Sequence, residues 1–168
     1  YDEDVILYPN KEYLVSENLI FQGDSRLIIN PGTTLKISDN VKIYFLENSY
    51  LYAIGKKDSL IVFTAEENYW KGFQFSKNVH SEVNYAKISK IDGRFYHNYG
   101  ILGGGDQLYK FKNVLFFDNL GQGIFNDWVK ADTTKKPVIN KVSFYDNRFT
   151  YLFVDVDRIF RKGQNINI

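Results

Sequence analysis

Two aspartates recur in the same local setting, and carboxylates that a fold brings together are the first groups in this chain able to do chemistry. Asp118 closes the run Val114-Leu115-Phe116-Phe117-Asp118-Asn119, and Asp146 closes Val142-Ser143-Phe144-Tyr145-Asp146-Asn147, 28 residues later. Asp127 and Asp155 form a second pair at the same spacing. Two carboxylates about 5 Å apart repel by roughly 1 kcal/mol in water and about 3 kcal/mol at an effective dielectric of 20. Exposed, they tolerate this as solvated turn residues, because salt screens it; buried, they need a proton or a cation. Ca²⁺ suits an oxygen-rich setting, which makes Asp118 and Asp146 candidate catalytic residues and candidate Ca²⁺ ligands. With no resident metal or other cofactor required, the turn reading is the simpler one. A base for β-elimination would be a Lys or Arg beside them, and Lys112, Lys110 and Arg94 are available. His97 could serve as acid or base. Asn119 and Asn147 follow the aspartates where an asparagine can take a left-handed or turn conformation and bond the neighbouring backbone. Stacked, they would form a ladder.

The aromatic residues carry a different chemistry. Trp128 lies in a polar insertion spanning residues 126–137, and Tyr96 and Tyr99 lie in the loop 94–100. A large rigid ring offers contact area at low entropic cost and pairs with the apolar face of a sugar, so these three are candidate ligand-binding residues. Their alternative role is to cover core flanked by loops. Trp70 adjoins a strand start and reads as structural. Gly103-Gly104-Gly105-Asp106 has neither the Lys-Ser/Thr of a phosphate loop nor a nonapeptide calcium repeat, and reads as a bend. His80 and His97 have no metal-ligand spacing with each other, and no Ser-His-Asp set assembles.

The elements that would position these residues are short strands. Helical periodicity is nearly absent, while apolar runs punctuated by turn residues extend from residue 13 to residue 156. Such a pattern means a sandwich, a barrel or a solenoid, and repetition decides among them. Residues 112–127 match 140–155 with Val114, Phe116, Asp118, Asn119, Phe125 and Asp127 all repeated. Ala86 and Ile88 fall in the same columns one period earlier. In the first half, Leu19, Val41 and Val62 recur at about 21 to 22 residues. These periods fit the coils of a solenoid, with an alternating triplet such as Val114-Leu115-Phe116 pointing two side chains inward and each coil rising roughly 4.8 Å. The parallel crossover rule makes the winding right-handed. The expectation is an all-β, right-handed parallel β-helix of about six or seven coils, one domain over 1–168 and possibly part of a longer solenoid. Residues 1–11 and 158–168 are candidate caps for its open edges.

Composition narrows the partners. The chain has 168 residues, 21 basic and 20 acidic, and a net charge of +1. That balance removes the broad attraction on which non-specific nucleic-acid binding depends. Without cysteine, disulfides and thiolate chemistry are excluded. No apolar run reaches the ~20 residues of a transmembrane helix. An aromatic share of 17% favours strands. The absence of any Met, with Tyr at position 1, fits either a processed mature chain whose signal segment has been removed or a trimmed chain that lacks it.

Pro31-Gly32-Thr33-Thr34-Leu35-Lys36-Ile37, Val41-Lys42-Ile43-Tyr44-Phe45, Tyr50-Leu51-Tyr52-Ala53-Ile54-Gly55, Lys57-Asp58-Ser59-Leu60-Ile61-Val62-Phe63-Thr64 and Trp70-Lys71-Gly72 follow one another along the first 90 residues. This succession resembles the opening coils of bacterial exported β-helix proteins of the pectin-lyase-like superfold. The resemblance implies secretion to the periplasm, the cell surface or the medium. It leaves activity open, since that superfold carries lyases, hydrolases, adhesins and surface proteins of unassigned activity. The N-T-D, D-D, G-H-G and R-x-K series of pectin-type hydrolases is missing. The expected function is therefore a non-catalytic exported module that binds a polysaccharide or an envelope protein, or acts as a rigid scaffold. The alternative is a polysaccharide lyase or glycoside hydrolase using an acidic lateral face.

Overall fold

The computed structural model describes residues 1–76, 79–93, 101–102, 108–121, 138–149, 152–154, 159–161 and 166–167. Among them every regular element is a strand, as the aromatic and β-branched composition requires. The first coil contains β1 (Val5–Leu7), β2 (Glu12–Val15) and β3 (Leu19–Phe21). The second contains β4 (Arg26–Ile29), β5 (Thr34–Ile37) and β6 (Ile43–Phe45), and the third β7 (Tyr50–Ile54), β8 (Ile61–Ala65) and β9 (Phe73–Phe75). After these three complete turns the pattern changes. β10 (His80–Ser89) pairs with both β7 and β8, so one ten-residue strand takes two sides of the coil. β11 (Asp92–Gly93) and β12 (Ile101–Leu102) follow it. β13 (Leu108–Phe117), β14 (Leu120–Gly121), β15 (Val138–Tyr145) and β16 (Arg148–Phe149) repeat the fused arrangement. Next come β17 (Leu152–Val154), β18 (Ile159–Arg161) and β19 (Ile166–Asn167).

Among the described residues, every pairing between the strands β1 to β16 is parallel. Six strands stack along the first side in the order β1-β4-β7-β10-β13-β15. The second side runs β2-β5-β8 into the later half of β10, and the third runs β3-β6-β9-β12. Val114 pairs with Val142 in parallel register, so equivalent residues of successive coils lie over one another. The chain is a parallel β-solenoid. β17 with β18, and β15 with β19, are antiparallel.

Alternation fills the interior. Leu27, Ile29, Leu51, Ala53, Phe63, Ile88, Val114, Phe116 and Phe144 are buried. On the third side Tyr1, Phe21, Phe45 and Phe75 form a ring column with successive centroid separations of 5.1, 5.2 and 5.2 Å. Phe116 and Phe144 continue the idea on the second side at 5.0 Å. Such ring pairs contribute roughly 0.5–1.5 kcal/mol each beyond area burial. Trp70 is fully buried and donates from Nε1 to the Ser89 carbonyl at 2.9 Å, the structural role its sequence position implied.

Corners need backbone that bends sharply, and they stack as columns too. Tyr85, Asn113 and Lys141 all have positive φ (49°, 51° and 53°). Lys90, Asp118 and Asp146 form a second column at 57°, 50° and 51°. One corner is closed by a glycine: a Cβ on Gly55 would collide with the Tyr85 carbonyl of the next coil, and the Gly55 N–H donates to the Asn84 carbonyl at 2.8 Å.

Three expectations change. Leu19, Val41 and Val62 do not share a column, since Leu19 pairs with Ile43 while Val62 pairs with Thr34 and Lys87. Apolar β-branched residues occur on all three sides, so spacing alone cannot assign a side. Residues 1–11 contribute β1 to the first coil rather than an external cap, although Tyr1 itself lies on Phe21. At the left-handed corner it is Asp118 and Asp146, not the asparagines after them, that take positive φ.

Candidate functional site

The asparagines use their side chains instead. Asn119 Oδ1 accepts from the Ile91 N–H at 2.9 Å, and Asn147 Oδ1 accepts from both the N–H and the side-chain amide of Asn119. Asn119 Nδ2 also reaches the Ile88 carbonyl, and Asn147 Nδ2 the Phe116 carbonyl, each from 31 residues away. This is the ladder the repeat suggested, and its job is structural.

Asp118 and Asp146 occupy the same corner in successive coils, Asp118 half-buried and Asp146 exposed. Asp118 Oδ1 accepts a long 3.4 Å bond from the Tyr69 hydroxyl. No group of three or more His, Cys, Asp or Glu arranged to hold a metal occurs among the described residues. Lys112 is not brought to these aspartates. It lies just before the other corner of β13, at Asn113, with the second-side half of that strand between it and Asp118. His97, Tyr96, Tyr99 and Trp128, and the second aspartate pair Asp127 and Asp155, lie outside the described residues.

The structure brings together a set of rings that the sequence did not single out. On the outward face of the first side, Tyr50 stacks with Tyr52 at 6.0 Å and meets the exposed His80 of the next coil at 5.3 Å. The Arg26 guanidinium, one coil earlier, lies 6.0 Å from the Tyr50 ring centroid. Ile28 and Tyr52 stand side by side in register, with Glu82 next and Lys110 beyond it. The result is a half-exposed aromatic platform with a guanidinium, an imidazole and two phenols at its edges, on a rigid parallel sheet. A second ring pair lies on the second side, where Phe117 and Tyr145 stack at 5.9 Å and 8°. The Lys87 ammonium sits 4.6 Å over Phe117.

A third cluster lies at the corner leading to the third side. Lys71 Nζ is 3.2 Å from Asp92 Oδ2, with both side chains largely buried. Lys42 is only 5% exposed. Burial first, and then the charge of Lys71, hold its ammonium pKa below the ordinary lysine value. All three make further interactions in the fold. Separately, a concavity of about 220 Å³ opens at the first coil, lined by Val5, Leu7, Tyr13, Leu19 and Leu35.

Fold and surface together define a parallel β-solenoid with ring platforms on its lateral sides. No protein-family model matches the chain, and comparison with curated proteins and with solved structures gave no match. No helix among the described residues is long and apolar enough to cross a membrane.

Proposed function

We propose that this chain is a non-catalytic module, exported from or displayed on a bacterial cell, that binds a glycan through its first side. The Tyr50–Tyr52–His80 cluster carries the reading. Stacked rings on a backbone already fixed by parallel pairing lose little entropy on binding. Their faces suit the C–H surface of a sugar, while the phenols, His80, Arg26 and Glu82 supply polar contacts at the rim. Export and a bacterial source rest on the likeness of residues 31–72 to exported β-helix proteins.

The test is titration of the purified protein with a panel of neutral and acidic polysaccharides and with envelope fractions. Binding is expected, and Tyr50→Ala and Tyr52→Ala are each expected to weaken it by roughly tenfold, the scale of a well-packed aromatic contact. Binding of an envelope protein alone would point to a protein partner, and no binding at all would leave a scaffold. Unsaturated products or new reducing ends in the same mixtures would make the chain a lyase or hydrolase. The Asp118→Ala/Asp146→Ala double variant would then show whether the corner aspartates carry that activity.

A further inference from the structure

The nearly neutral total charge conceals an uneven distribution. Along β10, β13 and β15, the three fused strands, the acidic residue is Glu82, and it is 3.7 Å from Lys110. Against it stand four lysines, Lys87, Lys110, Lys112 and Lys141. They occur on three successive coils but in four different register columns: Lys87 lies beside Leu115, Lys110 beside Glu82 and Val138, Lys112 beside Asn84 and Asn140, and Lys141 at the corner. Lys141 sits in one corner column with Tyr85 and Asn113, and the other three lie within three residues of that column along their strands. On the second-side half of the same strands lie Phe117 and Tyr145, stacked, with Tyr145 56% exposed. Asp118 and Asp146 bound the surface at its far corner, beyond the rings, so the positive part is the end nearest Lys112 and Lys141.

We propose that this surface is a second binding site, selective for a glycan bearing sulfate or carboxylate groups. This inference rests on the glycan-binding reading above and adds a charge class and a separate location. The rings receive the sugar face, and the lysines receive acidic substituents that recur along the chain at short intervals. Cations clustered about a corner of a paired backbone attract a polyanion without the backbone having to be ordered first. Nucleic acid fits less well, because these strands carry no arginine for bidentate phosphate or base contacts.

The experiment compares dextran with dextran sulfate, which share a backbone and differ in charge, by calorimetric titration at low and at physiological salt. Dextran sulfate is expected to bind more tightly, with affinity falling as salt rises. The Lys112→Gln/Lys141→Gln double variant replaces two surface side chains, and its fold is checked by circular dichroism. It is expected to lose roughly fivefold in dextran sulfate affinity, the scale of two partly screened ionic contacts, and to bind neutral glycans as before. Equal affinity for the two polymers, or an unchanged double variant, overturns the proposal. Tighter binding of single-stranded DNA or of phosphatidylserine vesicles than of dextran sulfate also overturns it. If neutral glycans bind in a Tyr50-dependent way without charge discrimination, only this inference fails; if no glycan binds, both readings fall.

Discussion

At the scale of single residues the structure puts most weight on one amide. Asn119 is fully buried and bonded at its backbone N–H, its Oδ1 and its Nδ2, to partners on the coils before and after it. Truncation to alanine would strand the Ile91 N–H and take a donor from the Ile88 carbonyl and from the Asn147 oxygen, which keeps only the backbone N–H of residue 119. An unmet buried polar group costs about 1–3 kcal/mol, so Asn119→Ala is expected to lose roughly 2–4 kcal/mol in a urea titration. Its neighbours at the corner work by a different physics. Lys90 holds φ at 57°, a conformation that suits asparagine or glycine better than a long side chain. Its ammonium gives up only an exposed bond to the Glu67 carbonyl. Lys90→Asn is therefore expected to raise the melting temperature by a few degrees, equivalent to about 0.5–1 kcal/mol.

At the scale of elements, the sequence was legible wherever coils are equal in length. The Val-x-Phe-x-Asp-Asn motif repeats at 28 residues, and β10, β13 and β15 pair at that offset, with Ala86, Val114 and Val142 in one column. In the first half the offsets vary. Val5 meets Leu27 after 22 residues, Arg26 meets Tyr50 after 24, and Tyr50 meets His80 after 30. Insertions at the corners absorb those differences without disturbing the strands, so no fixed period reveals them. That is why the ring platform went unseen: Tyr50 and Tyr52 sit in an apolar strand and read as core, and His80 joins them only through an irregular offset. The aspartates were seen for the opposite reason, since a regular repeat displays its corner residues as clearly as any site. Their pattern marked a bend in the backbone.

At the scale of the whole molecule, a solenoid is close to a sum of coils and the contacts between neighbours. Deleting residues 86–113 removes one 28-residue period and joins Tyr85 to Val114, preserving inward and outward alternation. The shortened chain is expected to keep its strand spectrum and unfold cooperatively, with a smaller denaturant slope in proportion to the surface lost. Deleting residues 87–113 instead joins Ala86 to Val114 and turns every later side chain to the wrong face. That version is expected not to fold, as judged by circular dichroism and gel filtration.

The contact between Gly55 and the Tyr85 carbonyl governs how faithfully the third and fourth coils align. Only a hydrogen atom fits at that point. A slip of one residue in either direction would bring Ile54 or Lys56 to the same place, and its Cβ would strike the backbone carbonyl of the Tyr85 corner. Misalignment is thus blocked by exclusion at a single point, much as a detent holds a wheel, and the correct seating needs no strong attraction there to be chosen.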